Sequence, residues 1–511
     1  MCAGKTGAAL TNISGYYHDQ WPAGETEADL LGLVPGHLIR RQVLFPVRRS
    51  GNRLFVAMAK PFDIQALDDL RLFTGCKIEP LATGKKEIRL LIEKHYAPPP
   101  EIEKVLQDLR MEMAGQELDS TLEEEAADQA PVIRLVNLIL SKAVEEEASD
   151  IHIEPFDNLV RVRFRIDGLL SEVMELPCKM IFPVVSRIKV MADLDIAERR
   201  LPQDGRISLQ LSGQDMDLRI STLPTVFGEK VVVRLLNKGN IEKYNLQRLG
   251  LSGYNLALFQ DLIRTPHGML LVTGPTGSGK TTTLYTALNE INSSDKNIVT
   301  IEDPVEYTLA NINQAQINEK AGITFANYLR FILRQDPDII MIGEIRDPET
   351  AEIAVQASIT GHLLLSTIHT NDAPGVVTRL INMGIAPFMI ASSLTGVVAQ
   401  RLVRRICVHC KQPVKPDQGE KAFAGLALGT DLYAGAGCAL CNYTGYKGRV
   451  AIYEVMKLSP LLQEVVLQNV CTEEIRQAAI SAGMITLKED GLAKAAAGLT
   501  TVNEVMRACR E

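Results

Sequence analysis

At 511 residues the chain has room for about three domains, and an apolar content of 46% supports sizeable cores. Its net charge of −8 argues against a broad non-specific nucleic-acid surface. No apolar run reaches the ~18 residues of a membrane-spanning helix, and Met1-Cys2-Ala3-Gly4-Lys5 lacks the apolar core of a secretory signal. The expected compartment is therefore the cytosol, where the nine cysteines are not expected to form disulfides and any ordered cluster of them reads first as metal ligands.

Residues 1–25 lack apolar periodicity, and a mobile tail is drawn over 1–28. A small α+β module follows over 29–96. Arg53 to Ala59 reads as a strand, and Ile64 to Phe73 as an amphipathic helix ended by Gly75. Lys86 to His95 reads as a second helix. Ala97-Pro98-Pro99-Pro100 breaks the chain, and residues 101–128 carry ten acidic and two basic side chains. That composition predicts a solvated acidic linker over 97–128.

A second domain is expected over 129–240. Pro131 to Glu147 has helical spacing at Val132, Leu135, Val136, Ile139, Leu140 and Ala143. Val160 to Ile166 alternates strictly, which points three arginines (Arg161, Arg163, Arg165) to one face, and Asp167-Gly168 reads as a hairpin turn. Met216 to Ser221 alternates again and puts Arg219 on the exposed face. From 241 to the end, strands and helices alternate to about Ala399, which predicts a twisted, largely parallel α/β sheet.

This third domain opens on the most informative stretch of the chain. Gly274-Pro275-Thr276-Gly277-Ser278-Gly279-Lys280-Thr281 fits the phosphate-loop pattern G-x-x-x-x-G-K-[ST], between an apolar strand (Met269 to Val272) and a helix (Thr281 to Asn289). Glycines let several backbone N–H groups aim at one phosphate chain, and the helix N-terminus adds partial positive charge. Lys280 can reach the β- and γ-phosphates of ATP, and the Thr281 hydroxyl can ligate Mg²⁺. Asp338 to Glu344 is an apolar strand ending in an acid, so Glu344 can polarise an attacking water as a general base. Val299 to Tyr307 is a second such strand, whose Glu302 and Asp303 can serve Mg²⁺ or the water. Thr360 to Asn371 is an apolar strand bracketed by His362 and His369. A polar group at its end can contact the γ-phosphate, a role that suits His369 better than His362; the bland reading is two ordinary histidines.

Cys407-Val408-His409-Cys410 and Cys438-Ala439-Leu440-Cys441 are two C-x-x-C pairs. Together they can close a Cys₄ structural Zn²⁺ site within an insertion over 405–445. His409 can replace one thiol, but the paired spacing favours cysteines. Cys2, Cys76, Cys178, Cys471 and Cys509 have no such spacing and read as ordinary. Arg401, Arg404 and Arg405 can meet acidic partners or lipid headgroups, or simply decorate a solvated helix end.

Taken in order, Gly274–Thr283 resembles the Walker A, Ile301–Tyr307 the Asp box, Leu333–Asp347 the Walker B and Thr360–Asn371 the His box of the secretion-ATPase superfamily of type II secretion and type IV pilus systems. The resemblance runs from about residue 129 to the C-terminus, and more loosely back to about 29. It implies a RecA-like C-terminal ATPase domain behind a PAS-like α+β domain and a small N-terminal α+β docking domain. It also implies homo-hexameric rings with the nucleotide between the two larger domains. Arg206 and Arg219 match arginines that approach the phosphates, where a guanidinium fork neutralises developing charge. The phosphate loop is taken through Thr282, with His369, Arg330 and Arg334 as further nucleotide-site or interface residues. The segment Ser149 to Pro155 also matches, and its His152 reads as structural.

The tetracysteine element resembles assembly rather than retraction motors. The expected function is therefore ATP-driven assembly of a pilus or pseudopilus. The implied partners are an inner-membrane platform protein and the cytoplasmic domain of a membrane assembly protein, with the chain peripheral to that membrane. Some members bind cyclic di-GMP through N-terminal motifs. No Arg-Leu-Gly motif before residue 29 supports that here. A helicase-like nucleic-acid motor, a pilus retraction ATPase and a scaffold that holds ATP without hydrolysing it are the alternatives.

Overall fold

The computed structural model describes residues 34, 39, 42–50, 53–95, 130–237, 245–318, 321–416, 418–425, 432–468 and 471–510. The expected tail (1–28) and acidic linker (97–128) lie outside them. The chain divides into two compact units, with the main boundary at Asn237/Lys238.

In the N-terminal module, β1 (Leu44–Ser50) pairs antiparallel with β2 (Arg53–Met58), and β2 pairs parallel with β3 (Lys77–Ala82). The parallel pair needs a crossover, which the helix Ile64–Thr74 supplies. Asp63 caps that helix by accepting from the Ala66 N–H at 3.3 Å. Gly75 ends it at φ +64°, donating its N–H to the Arg71 carbonyl. A second helix, Lys85–His95, completes the module, and Leu44, Phe45, Leu54, Val56 and Ile88 fill its core. The sequence predicted β2 and both helices but not β1 or β3. Both are edge strands holding a proline, Pro46 beside a register shift and Pro80, and proline masks a strand pattern.

The second part of this unit carries a six-stranded sheet in the order β6-β5-β4-β9-β8-β7. Its strands are β4 (Asp150–Pro155), β5 (Leu159–Ile166), β6 (Leu169–Pro177), β7 (Gln203–Leu211), β8 (Gln214–Thr225) and β9 (Gly228–Asn237). Asp167 and Gly168 both have positive φ and turn β5 into β6, as expected of an Asp-Gly hairpin. One sheet face presents Ile151, Ile153, Val162, Phe164, Leu218, Ile220, Val231 and Val233 to the helices Ala130–Glu145 and Ile181–Met191. Burying each such side chain contributes ~1.5–3 kcal/mol. The opposite face is charged.

The second unit is built on a seven-stranded sheet in the order β12-β11-β13-β14-β10-β15-β18. Its strands are β10 (Gly268–Thr273), β11 (Ile298–Glu302), β12 (Asn313–Gln316), β13 (Ile339–Ile342), β14 (Leu363–Ile368), β15 (Leu394–Ile406) and β18 (Tyr446–Lys457). Every pairing is parallel except β15 with β18. Successive residues alternate between two cores: Met269 and Leu271 join one, Leu270 and Val272 the other. Both faces of β10, β13 and β14 are covered, so these strands read as unbroken apolar runs. Parallel pairing also gathers the ends of β10, β11, β13 and β14 at one edge of the sheet, where open α/β sheets bind ligands.

The parallel pairing ends at Ala399, as expected, but β15 itself continues, paired antiparallel with β18. β15 runs on to Ile406, so Arg401, Arg404 and Arg405 are strand residues rather than a solvated helix end. Arg401 is buried and Arg404 is tied to Glu504 at 2.8 Å. Only Arg405 is exposed. Between β15 and β18 the chain forms a small antiparallel pair, β16 (Lys411–Val414) and β17 (Leu432–Gly435). Four helices close the C-terminus: Pro460–Leu467, Thr472–Ser481, Leu487–Ala496 and Val502–Arg510.

Candidate nucleotide site and cysteine cluster

The loop after β10 requires its glycines. Gly274, Gly277 and Gly279 have φ of +150°, +80° and +89°. A Cβ at Gly274 would also lie 2.7 Å from Ser278 Oγ and collide with the Gln400 carbonyl. Pro275, Thr276 and Gly277 form the exposed crest, and Ser278 is buried under it. The helix Lys280–Ile291 starts directly after Gly279 without a side-chain cap, which leaves its first N–H groups facing the loop. Thr281 is exposed beside them and Thr282 half-buried.

Lys280 folds back over the loop, donating to the carbonyls of Gly274 at 2.8 Å and Pro275 at 3.1 Å. Burial pushes its pKa down to about 8; Glu344 opposes that shift and Arg401 adds to it. Glu344, two residues beyond β13, is mostly buried and is flanked by Arg346 and by His369, whose Nε2 lies 3.6 Å from it. The pKa of His369 is lowered, first by burial and then by Lys280, with Glu344 opposing. Hydroxyls fix these loops to one another. Thr273 Oγ1 accepts from the Thr370 N–H at 2.8 Å, and Thr367 Oγ1 donates to the Gly343 carbonyl at 2.7 Å. The structure thus brings together three elements that sequence reasoning placed separately: the phosphate loop, Glu344 and His369.

Glu302 ends β11 at 3% exposure. Its carboxylate accepts from the Tyr285 phenol, from Thr300 Oγ1 at 2.6 Å and from Gln314 Nε2 at 3.0 Å. Tyr285 lies on the helix that leaves the phosphate loop, so this network joins the two motifs. Burial, then the charge of Glu302, raises the pKa of that phenol far above its usual value, so it stays protonated and donates to Glu302 while accepting from the Glu306 N–H at 3.3 Å. No sequence pattern had marked Tyr285.

Arg330 sits on the helix Phe325–Ile332 and pairs with Glu349 at 2.8 Å. Arg334 follows in the next turn with its guanidinium 4.9 Å from the centre of the Phe331 ring. His362 turns back to its own neighbourhood, its Nδ1 donating to the Ala357 carbonyl at 3.0 Å.

Arg206 and Arg219 belong to the other unit. The strand register sets Arg206 opposite Arg219, Arg219 opposite Arg234, and Arg234 opposite Asp150. They form one cross-strand row on the charged face. Arg206 Nε bonds both oxygens of the buried Asp217 at 2.7 and 2.8 Å, and Arg234 Nε bonds Asp150 at 3.1 Å. Arg234 escaped sequence analysis because it follows three valines in a strand with no motif of its own.

The ligand atoms of Cys407, Cys410, Cys438 and Cys441 all lie within 4.8 Å of one another. Cys438 and Cys441 sulfurs are 3.7 Å apart, close to the roughly 3.8 Å edge that a tetrahedron with Zn–S bonds of ~2.3 Å requires. Four thiols with no carboxylate or imidazole fit a closed structural Zn²⁺ site. His409 is exposed and outside the cluster. Cys76, Cys178, Cys471 and Cys509 are free and also lie outside it.

The family described as Type II/IV secretion system protein matches residues 125–507. The chain belongs to this family. A second family, the MshEN domain, matches residues 19–102. Among curated proteins, the chain is 50% identical to the type IV pilus assembly ATPase PilB of Myxococcus xanthus, over 94% of this chain and 87% of that one. It is 47% identical to type II secretion system protein E of Aeromonas hydrophila, over 88% and 90%. A solved structure of the pilus retraction motor PilT with bound ADP matches 73% of this chain and 97% of its own, at 25% identity and a TM-score of 0.50. As a type II/IV secretion system family member, the chain keeps the phosphate loop, the strand-end acids and the His box in the order the resemblance implied.

Proposed function

We propose that this chain is the Mg²⁺-dependent ATPase of a pilus or pseudopilus assembly machine. The observation that carries the reading is the convergence of Lys280, Glu344 and His369 at one edge of the parallel sheet. The backbone N–H groups of 274–282 and the Lys280 ammonium bind the triphosphate. Thr281, with acids of the Asp box and Walker B, would hold Mg²⁺, which supplies charge neutralisation at the phosphates when bound. Glu344 takes the proton of the attacking water, and His369 steadies it and meets the γ-phosphate. Glu302, anchored by Tyr285, belongs with Glu344 in orienting the water and the metal. Arg206 and Arg219, with Arg330 and Arg334, neutralise charge or complete the site within a homo-hexamer. The cysteine cluster holds structural Zn²⁺.

No helix among the described residues is long and apolar enough to cross a membrane. Attachment to the inner membrane is therefore assigned to partners, namely a platform protein and the cytoplasmic domain of a membrane assembly protein. Relatives named for assembly, and the cysteine element, favour assembly over retraction. The net charge of −8 disfavours a nucleic-acid motor. Deletion of the gene, complemented with wild type or with Lys280→Ala, separates the machines. Lost exoprotein secretion assigns type II secretion, and lost surface pili assigns pilus extension. Hyperpiliation after deletion would point instead to retraction, and no change in either would contradict the proposal.

A further inference from the structure

β15 passes behind the phosphate loop and brings two buried polar residues to it. Gln400 Oε1 accepts from the Thr283 hydroxyl at 2.7 Å, and the Gln400 carbonyl backs onto Gly274. Arg401 follows and is 4% exposed. Its NH2 donates to the Asn371 carbonyl at 2.7 Å, and its NH1 donates to the Gln400 carbonyl at 3.2 Å. The same NH1 would stand 3.1 Å from a Cβ at Gly274. Asn371 lies two residues after His369, in the short loop between β14 and the helix Pro374–Asn382. One planar guanidinium therefore ties β15, whose Gln400 carbonyl backs onto the phosphate loop, to the loop that carries His369. Taking such a charge out of water is costly, several kcal/mol in real proteins. A rigid fork reaches the Gln400 carbonyl on β15 and the Asn371 carbonyl at once, in a way that a lysine point charge does not.

We propose that Arg401 is a positioning residue that locks the His369 loop to β15 behind the phosphate loop, and so keeps His369 beside Glu344. This rests on the reading of Glu344 and His369 as the groups that face the γ-phosphate. Arg401 touches backbone on both sides and acts through His369. Its removal should slow turnover while leaving phosphate binding nearly intact. The effect of Arg401 on the Lys280 pKa is a second sign that its charge reaches the site.

The test uses the full chain. ATP turnover and the Kd for a fluorescent ADP analogue are measured for Arg401→Gln, Arg401→Lys, His369→Ala, the Arg401→Gln/His369→Ala pair and Glu344→Gln, with Arg405→Gln on the exposed side of the same strand as control. Arg401→Gln should lower kcat at least tenfold with the ADP Kd within threefold of wild type. The pair should be no slower than the slower single variant, because both act through one element. Arg401→Lys should fall between wild type and Arg401→Gln, and it supplies the same readings if Arg401→Gln does not fold. Arg405→Gln should match wild type. A kcat within twofold of wild type for the Arg401 variants, a loss of ADP affinity matching the loss of kcat, or multiplicative effects in the pair would each overturn the proposal. Wild-type turnover by Glu344→Gln would instead overturn the reading on which it rests.

Discussion

His369 Nε2 lies 3.6 Å from one oxygen of Glu344, while Arg346 bonds the other. Burial and the nearby Lys280 lower the His369 pKa, so the imidazole is neutral near pH 7. A neutral ring can hold Glu344 in place without neutralising it, which leaves the carboxylate able to accept a proton.

The same neighbourhood sets the pH response. Only protonated Lys280 attracts the triphosphate, and its pKa in the free protein is held down to about 8, mainly by burial. The profile of kcat/KM reports free-enzyme groups. It should therefore fall as pH rises past about 8, by roughly tenfold per unit at the limit. The corresponding limb of kcat should lie higher, because bound phosphate favours the charged ammonium. A kcat/KM that stays flat to pH 10 would refute this placing of Lys280.

Tyr285 and Glu302 form the buried joint between the phosphate-loop helix and the Asp box. Tyr285→Phe removes one donor from a carboxylate that is 3% exposed. The expected cost is ~1–3 kcal/mol of stability in the nucleotide unit. Chemical denaturation should show it as a lower midpoint. An unchanged midpoint with unchanged turnover would mean that this bond carries nothing.

The four thiols predict about one zinc per chain on metal analysis. Cys407→Ser and Cys438→Ser should each lose that zinc and loosen the segment between β15 and β18, read as faster proteolysis there. A folded wild-type preparation without zinc would contradict the assignment.

Arg206 and Arg219 are neighbours in one row but hold different positions. Arg206 neutralises Asp217, which is 1% exposed, so Arg206→Ala should destabilise its unit by ~1–3 kcal/mol, discounted for the half-exposed arginine. Arg219→Ala should lower kcat by at least ~10³-fold, the low end of what an arginine finger contributes, with the melting curve recorded alongside. Equal effects on both readouts would place the two arginines in one role.

Much of this site was legible because its chemistry is local in sequence. A phosphate loop spends its glycines within six residues, and a C-x-x-C pair brings two ligands on one turn. Glu344 and His369 were legible as strand ends. What escaped was tertiary. Tyr285, Gln400 and Arg401 act on residues 17, 117 and 30 positions away, and each sits in an ordinary helix or strand pattern. Arg401 in particular was read as a partner-facing arginine or part of a solvated helix end, since a charged residue in a strand gives no local sign of burial. The edge strands β1 and β3 were hidden by Pro46 and Pro80 for the opposite reason: proline is tolerated only where the ladder is incomplete.

The central claim is that Glu344 activates water for a triphosphate held on the 274–282 loop. Its most direct test is single-turnover hydrolysis by Glu344→Gln at saturating ATP and Mg²⁺, alongside the ATP Kd. The account predicts a Kd within threefold of wild type and a rate lower by at least ~10²-fold, the usual worth of a positioned base. Hydrolysis at the wild-type rate by that variant would contradict it.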